Sequence, residues 1–270
     1  MERRCVEEIG EIIGVGGGRL GDVPRGGQGA PDHIDQQEVS LRLNTTVGPV
    51  LHASLLRPPA PVGLVLMAHG SGSDRFSPRN RAVAARLQRE HLVCLLPDLL
   101  TPQERSQQNR RGWSPVGLTP LTERLLAWID WTARQPELAG LPIGLFGASS
   151  GAAAVLTAAA LRPEAIAAVI CRGGRVDLAE AALPLVQAPV LLIVGELDRE
   201  VLALNRLAAA RLRCPHQLSV IPQARHLFEE PGSLAAVGDQ SAAWLGHHLL
   251  NTNDSSGNQQ RLHISTQQAE

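Results

Sequence analysis

Apolar residues gather in short runs separated by polar, turn-forming stretches. Six runs have the length and composition of buried strands: Val62–Met67, Leu92–Leu96, Ile143–Phe146, Ala167–Ile170, Val190–Val194 and Leu218–Ile221. Helical patterns alternate with them. Ser77-Pro78 reads as an N-cap followed by proline at the first helical position, opening a helix through about Arg89. Leu118, Leu121, Leu125, Trp128 and Ile129 recur at helical spacing and form one apolar face. Asp177-x-x-Glu180 has the form of a capping box and predicts a short helix, and Val201–Leu212 predicts a longer one. The earlier runs Val39–Leu43 and Val50–Leu56, with Gly48-Pro49 turning the chain between them, predict an antiparallel hairpin at the sheet edge. Strand–helix alternation of this kind predicts an α/β fold: a mostly parallel central sheet with helices on both faces.

The same pattern sets the domain limits. Residues 1–36 are rich in glycine and predict a flexible leader. Its Gly14-Val15-Gly16 stretch fails as a dinucleotide loop, because Arg19 stands where the third glycine is needed and no strand pattern precedes it. Residues 251–270 are dominated by Asn, Gln and Ser and predict a disordered tail. Residues 37–250 then form one domain. Only residues 171–189 separate two of its strand runs, which leaves no room for a cap domain there.

Composition narrows the chemistry. A net charge of −1 gives no bulk electrostatic case for a nucleic-acid or membrane partner. All 25 basic residues are Arg, and there is no Lys and no Tyr. A P-loop, a pyridoxal Schiff base and a Tyr/Lys dehydrogenase are therefore excluded. Cys5, Cys94, Cys171 and Cys214 form no CxxC pair, and Cys94 and Cys171 sit in apolar runs as buried hydrophobes. The adjacent His247 and His248 have no third ligand nearby, so neither metal nor other cofactor is expected. Glu7, Glu8 and Glu11 interrupt any signal-like stretch, and no run approaches the ~18–20 apolar residues of a membrane span. The chain reads as cytoplasmic, with a small molecule as its partner and an oligomeric state left open.

One motif stands out. Gly147-Ala148-Ser149-Ser150-Gly151 matches G-x-S-x-G, with an apolar strand before it and an Ala-rich helical run after it. In that setting the serine sits on a strained strand-to-helix turn that lifts its hydroxyl out of the sheet, and the helix N-terminus directs positive charge at it. A serine nucleophile needs a base, and the base needs an orienting acid. Asp198 follows the Val190 strand and His226 follows the Leu218 strand, giving the order Ser, Asp, His on one rim of the sheet. Glu196 and Asp177 are rival acids. The Ser150 N–H is one expected oxyanion donor. The second comes from the loop Ala68-His69-Gly70-Ser71-Gly72-Ser73, with Ser71 favoured and Gly70 or Gly72 as alternatives. His69 is read as structural.

At these residues the chain resembles the α/β-hydrolase superfamily, in particular the dienelactone-hydrolase-like branch found alone or fused to phosphoribosyltransferase domains. The similar stretches are AHGSGSDRFSPRNRAVAARL, LLPDLLTPQE, GLFGASSGAAA, CRGGRVDLAE, APVLLIVGELDREVLALN and ARHLFEEPG. The resemblance implies the α/β-hydrolase fold, a triad of Ser149, Asp198 and His226, and hydrolase activity. Two departures stand against it: dienelactone hydrolases use a Cys nucleophile where this chain has Ser149, and no phosphoribosyltransferase portion is expected in it.

The expected activity is hydrolysis of a small ester, lactone or related acyl substrate through an acyl-enzyme. The alternatives are an acyltransferase or peptidase with the same triad, and a non-catalytic binding module. Arg75, Arg79, Arg172 and Arg175 lie just past strand ends, where a guanidinium could grip an anionic substrate. The competing expectation is that they pair with nearby acids and hold the loops.

Overall fold

The computed structural model describes residues 11–13, 37–45, 48–111 and 116–250. Among these described residues nine strands form one sheet: β1 (Glu11–Ile13), β2 (Gln37–Leu43), β3 (Leu51–Arg57), β4 (Gly63–Ala68), β5 (Leu92–Pro97), β6 (Ile143–Ala148), β7 (Ile166–Arg172), β8 (Val190–Gly195) and β9 (His216–Ile221). Their order across the sheet is β1-β2-β3-β5-β4-β6-β7-β8-β9. From β5 to β9 all neighbours are parallel, while β1, β2 and β3 are antiparallel additions at one end. Five of the six predicted strand runs lie within strands β5 to β9, and the first, Val62–Met67, starts one residue before β4.

Among the described residues there are six α-helices: α1 (Pro78–Gln88), α2 (Pro102–Arg111), α3 (Leu118–Arg134), α4 (Gly151–Leu161), α5 (Arg199–Ala209) and α6 (Ser233–Leu250). Central strands are buried on both faces, so their side chains alternate between two cores. Leu64, Leu66, Leu145 and Val169 pack toward Leu125 and Trp128 of α3 and Leu156 of α4. Val65, Met67, Phe146 and Ile170 pack toward Val83 and Leu87 of α1 and Leu245 of α6. Covering both faces explains why these strands read as continuous apolar runs rather than as alternating ones.

Three local expectations change. The hairpin forms, with Leu43 opposite Leu51, but β1 lies outside it and β3 pairs inward with β5. Glu11–Ile13 of the expected leader is thus a strand; the rest of residues 1–36, and the tail 251–270, lie outside the described residues. The capping box at Asp177 does not form. Residues Val176–Ala179 make a single 3-10 turn, because the Arg175 guanidinium grips the Asp177 carboxylate at 2.9 and 2.8 Å. The predicted cap of α1 is present, with Ser77 Oγ accepting from the Asn80 N–H at 3.4 Å. Between β7 and β8, residues 173–189 hold only this turn and a second one, Leu183–Leu185, so no cap domain is inserted. Among the described residues no helix is long and apolar enough to cross a membrane.

Candidate active site

Strand β6 ends at Ala148 and α4 begins at Gly151, leaving Ser149 on a tight turn with φ +50°. That left-handed conformation is strained for a residue with a Cβ, and the surroundings must enforce it. Three backbone hydrogen bonds do so. The Ser149 N–H donates to Arg172 O at 3.0 Å, and Ser149 O accepts from the N–H groups of Ala152 (3.1 Å) and Arg175 (3.0 Å). The motif glycines answer to close approach. A Cβ at Gly147 would stand 2.6 Å from Ala152 Cα, and one at Gly151 would stand 2.5 Å from His69 O. Gly151→Ala is therefore expected to push Ala68 and His69, at the end of β4, away from the elbow. It should cost roughly 1–3 kcal/mol of stability and most of the activity, measured by denaturant unfolding and ester turnover.

The loops after β8 and β9 are fastened together before they deliver their side chains. The Leu197 N–H donates to Ala224 O at 2.9 Å, and the Glu196 carboxylate accepts from the Gln223 N–H at 2.9 Å. His226 Nδ1 and Asp198 Oδ2 are then 2.6 Å apart. An ionised carboxylate only accepts, so Nδ1–H is the donor and Nε2 is left free to take a proton. Asp198 occupies the N-cap position of α5 yet makes no capping hydrogen bond; its carboxylate is turned to the imidazole instead. The rival acids are engaged elsewhere, Glu196 at Gln223 and Asp177 at Arg175. The imidazole stands over Gly173, where a Cβ would lie 3.4 Å from its Cε1 and Nδ1. The preceding residue, Arg172, is the one that holds the Ser149 N–H. The Ser149 hydroxyl itself has no hydrogen-bond partner among the described residues. Such bonds commonly tighten only once substrate is bound.

The loop after β4 meets the turn after β6 at the Ser150 side chain. The Ser71 N–H points to Ser150 Oγ at 3.0 Å, and the two hydroxyls are 2.8 Å apart. A substrate oxygen at the Ser71 N–H must share it with the Ser150 hydroxyl or displace that hydroxyl. The N–H of Gly72, one of the alternatives, is likewise engaged and donates to Gln108 Oε1 at 3.2 Å. Gln108 belongs to α2, which also pairs its Arg105 with Asp74, while Asp98, just after β5, takes both the backbone and the guanidinium of Arg75. The sequence reading missed α2. Its PQERSQQNRR is polar on every side and carries no apolar period; Pro102 after Thr101 was the available signal.

His69 is buried at 4 % exposure and structural, as expected. Its Nδ1–H donates to Gly70 O at 2.9 Å, and its Nε2 accepts from the Leu99 N–H at 2.9 Å, joining the loops after β4 and β5. Burial holds its pKa below the ordinary 6.5. The unfolded chain therefore takes up a proton below about pH 6.5 that the folded protein resists, so this contribution to stability is lost as pH falls. Urea unfolding at pH 7 and pH 5 should show a loss on acidification, and the loss should be smaller in His69→Gln.

Of the four arginines, three have carboxylate partners. Arg75 pairs with Asp98, Arg79 reaches Glu229 at 3.5 Å, and Arg175 pairs with Asp177, whose pKa it holds down. Arg172 has none among the described residues, although it is only 8 % exposed. Its Nη1 is buried without a partner, and its guanidinium carbon lies 5.9 Å from the centre of the Phe146 ring. Burial, with the charge of Arg79 nearby, pushes its pKa down to about 10. A cavity of about 450 Å³ opens at His226 between Leu227 and Glu229. A larger one, about 710 Å³, lies between α2 and the start of β3 and is lined by no residue of the Ser149, Asp198, His226 set. Among the described residues no cluster of three or more His, Cys, Asp or Glu side chains could hold a metal.

The sequence profile of the dienelactone hydrolase family matches residues 51–248. The chain belongs to that family. It has the α/β-hydrolase fold. The crystal structure of a dienelactone hydrolase from Anabaena variabilis is similar, at 45 % identity and TM-score 0.75, covering 79 % of this chain and 99 % of that one. Est1E from Butyrivibrio proteoclasticus shares the fold at 17 % identity and TM-score 0.65, covering 77 % of this chain and 98 % of that one. A Mycobacterium tuberculosis protein named putative phosphoribosyl transferase is 47 % identical over 208 residues, which are 77 % of this chain and 46 % of that protein. This chain thus spans less than half of that relative's length.

Proposed function

We propose that this member of the dienelactone hydrolase family is a serine hydrolase of small carboxylic esters or lactones. The observation that carries the reading is a strained Ser149 at φ +50°, its N–H held by Arg172 O, beside a closed Asp198–His226 pair at 2.6 Å whose imidazole packs over the next residue, Gly173. Ser149 Oγ attacks the substrate carbonyl while His226 Nε2 takes its proton. Asp198 fixes the imidazole tautomer and stabilises the imidazolium that forms. The tetrahedral oxyanion is held by the N–H groups of Ser150 and Ser71, at the positive end of α4. His226 then returns the proton to the leaving oxygen, and water resolves the acyl-enzyme by the same steps. The open cavity at His226 and the absence of a cap between β7 and β8 favour a short acyl group over a long lipid chain.

A panel of para-nitrophenyl esters and lactones, run with and without a competing alcohol or amine, tests this. Hydrolysis of the short members is expected, with the acid as product in both conditions. An ester or amide of the added acceptor as main product would make the protein an acyltransferase.

A further inference from the structure

The geometry points to a second ligand site, separate from the catalytic centre, for a monocarboxylate with an apolar, ring-sized body. Its place is the cavity of about 710 Å³ between α2 and the start of β3. That volume lies within the ordinary range of small-molecule sites, roughly 300–1,000 Å³. Strand β4 stands between β5 and the nucleophile strand β6, and the cavity lies on the far side, where β3 begins and β5 ends. The oxyanion loop parts the two places. Its Ser71 meets Ser150 at the elbow, while Arg75 and Phe76, further along the same loop, line the cavity.

The lining divides into an apolar part and a cationic part. Val50, Leu51, Leu100, Pro102 and Phe76 supply the first. Phe76 is 54 % exposed, with the Arg75 guanidinium 4.3 Å from the centre of its ring. An exposed aromatic ring beside a roomy cavity is a surface for a flat apolar body. Arg75, Arg105 and Arg110 supply the second part, against one carboxylate in the lining, Asp98. Asp98 pairs with Arg75 and stands 3.9 Å from Arg105, whose own partner is Asp74. Those four groups balance in charge. Glu104 of α2 is taken up by Arg124 at 2.8 Å. His52, also in the lining, carries no negative charge in either protonation state. Arg110 is left over: among the described residues its guanidinium bonds only the Ser106 hydroxyl, at 2.7 Å. One spare positive charge at the cavity selects a monoanion, and a guanidinium fork matches the two oxygens of a carboxylate.

Calorimetric titration at low salt with naphthoate, its neutral isostere naphthamide, acetate and inorganic phosphate tests the site. Naphthoate is expected to bind, and each of the others at least about tenfold more weakly. Naphthamide lacks the charge, acetate the ring, and phosphate the apolar body. Arg110→Gln should weaken naphthoate about tenfold by removing the unshared charge, and Phe76→Ala about fivefold by removing the ring. Both side chains are exposed, so both variants should fold, which urea unfolding checks. Arg206→Gln, at an exposed position of α5, should leave binding unchanged. Protein labelled to completion at Ser149 with a fluorophosphonate should keep its affinity for naphthoate, because the cavity lies apart from the nucleophile. Four results would each overturn the site: no naphthoate binding, naphthamide or phosphate binding as tightly as naphthoate, affinity unchanged by both Arg110→Gln and Phe76→Ala, or loss of binding in the labelled protein. Naphthoate binding that responds to Arg110→Gln and Phe76→Ala, in a protein that neither labels nor turns over esters, would instead uphold the site and overturn the hydrolytic reading.

Discussion

Ser149→Ala is expected to lower kcat for a short ester by about 10⁴- to 10⁶-fold while leaving the protein folded. The size of the loss follows from what the residue supplies. Without the hydroxyl there is no acyl-enzyme, and only binding and the oxyanion donors remain to assist water. The fold should survive because alanine removes an oxygen that makes no hydrogen bond among the described residues and adds no bulk. The positive φ of +50° is imposed by hydrogen bonds through the Ser149 N–H and carbonyl, which the substitution keeps. Urea unfolding should show a stability change within about 1 kcal/mol. A variant that keeps more than a tenth of the wild-type rate would place the nucleophile elsewhere.

The second large effect belongs to Asp198. Asp198→Asn keeps the shape of the side chain but loses the charge, and its amide can donate to Nδ1. The imidazole is then held in the wrong tautomer, with its proton on Nε2, and cannot accept from Ser149. A loss of about 10⁴-fold in kcat is expected. The controls are Glu196→Gln and Asp177→Asn, whose carboxylates serve Gln223 and Arg175. Each should cost less than about tenfold, through small shifts of the loops. A ranking in which Glu196→Gln is the most damaging would assign the orienting acid to the neighbouring position.

Much of this architecture was legible because a few residue types do single jobs. Buried parallel strands show as unbroken apolar runs, and Ser77-Pro78 marks a helix start that the structure keeps. The G-x-S-x-G turn was legible for a steric reason: no side chain fits at Gly147 or Gly151. Ser149, Asp198 and His226 could be chosen by their places after strand ends. What escaped was set by contacts far apart in the chain. Helix α2 has no apolar face, and its hold on the oxyanion loop through Gln108 and Arg105 is side-chain pairing across 31 residues or more. Glu196 and Asp198 are two residues apart in one loop, and only the fastening of the β8 and β9 loops decides which one meets the imidazole. The four rim arginines looked alike in sequence. Asp98, Glu229 and Asp177 separate three of them from Arg172, and those partners are fixed by the fold.

The most direct test of the serine mechanism is to react the protein with a fluorophosphonate and locate the adduct by peptide mass spectrometry. One adduct per chain, on Ser149, is expected. It should disappear in His226→Ala, where nothing takes the hydroxyl proton. An adduct on a cysteine or on any other serine, or no adduct in a protein that hydrolyses esters, would contradict Ser149 as the nucleophile.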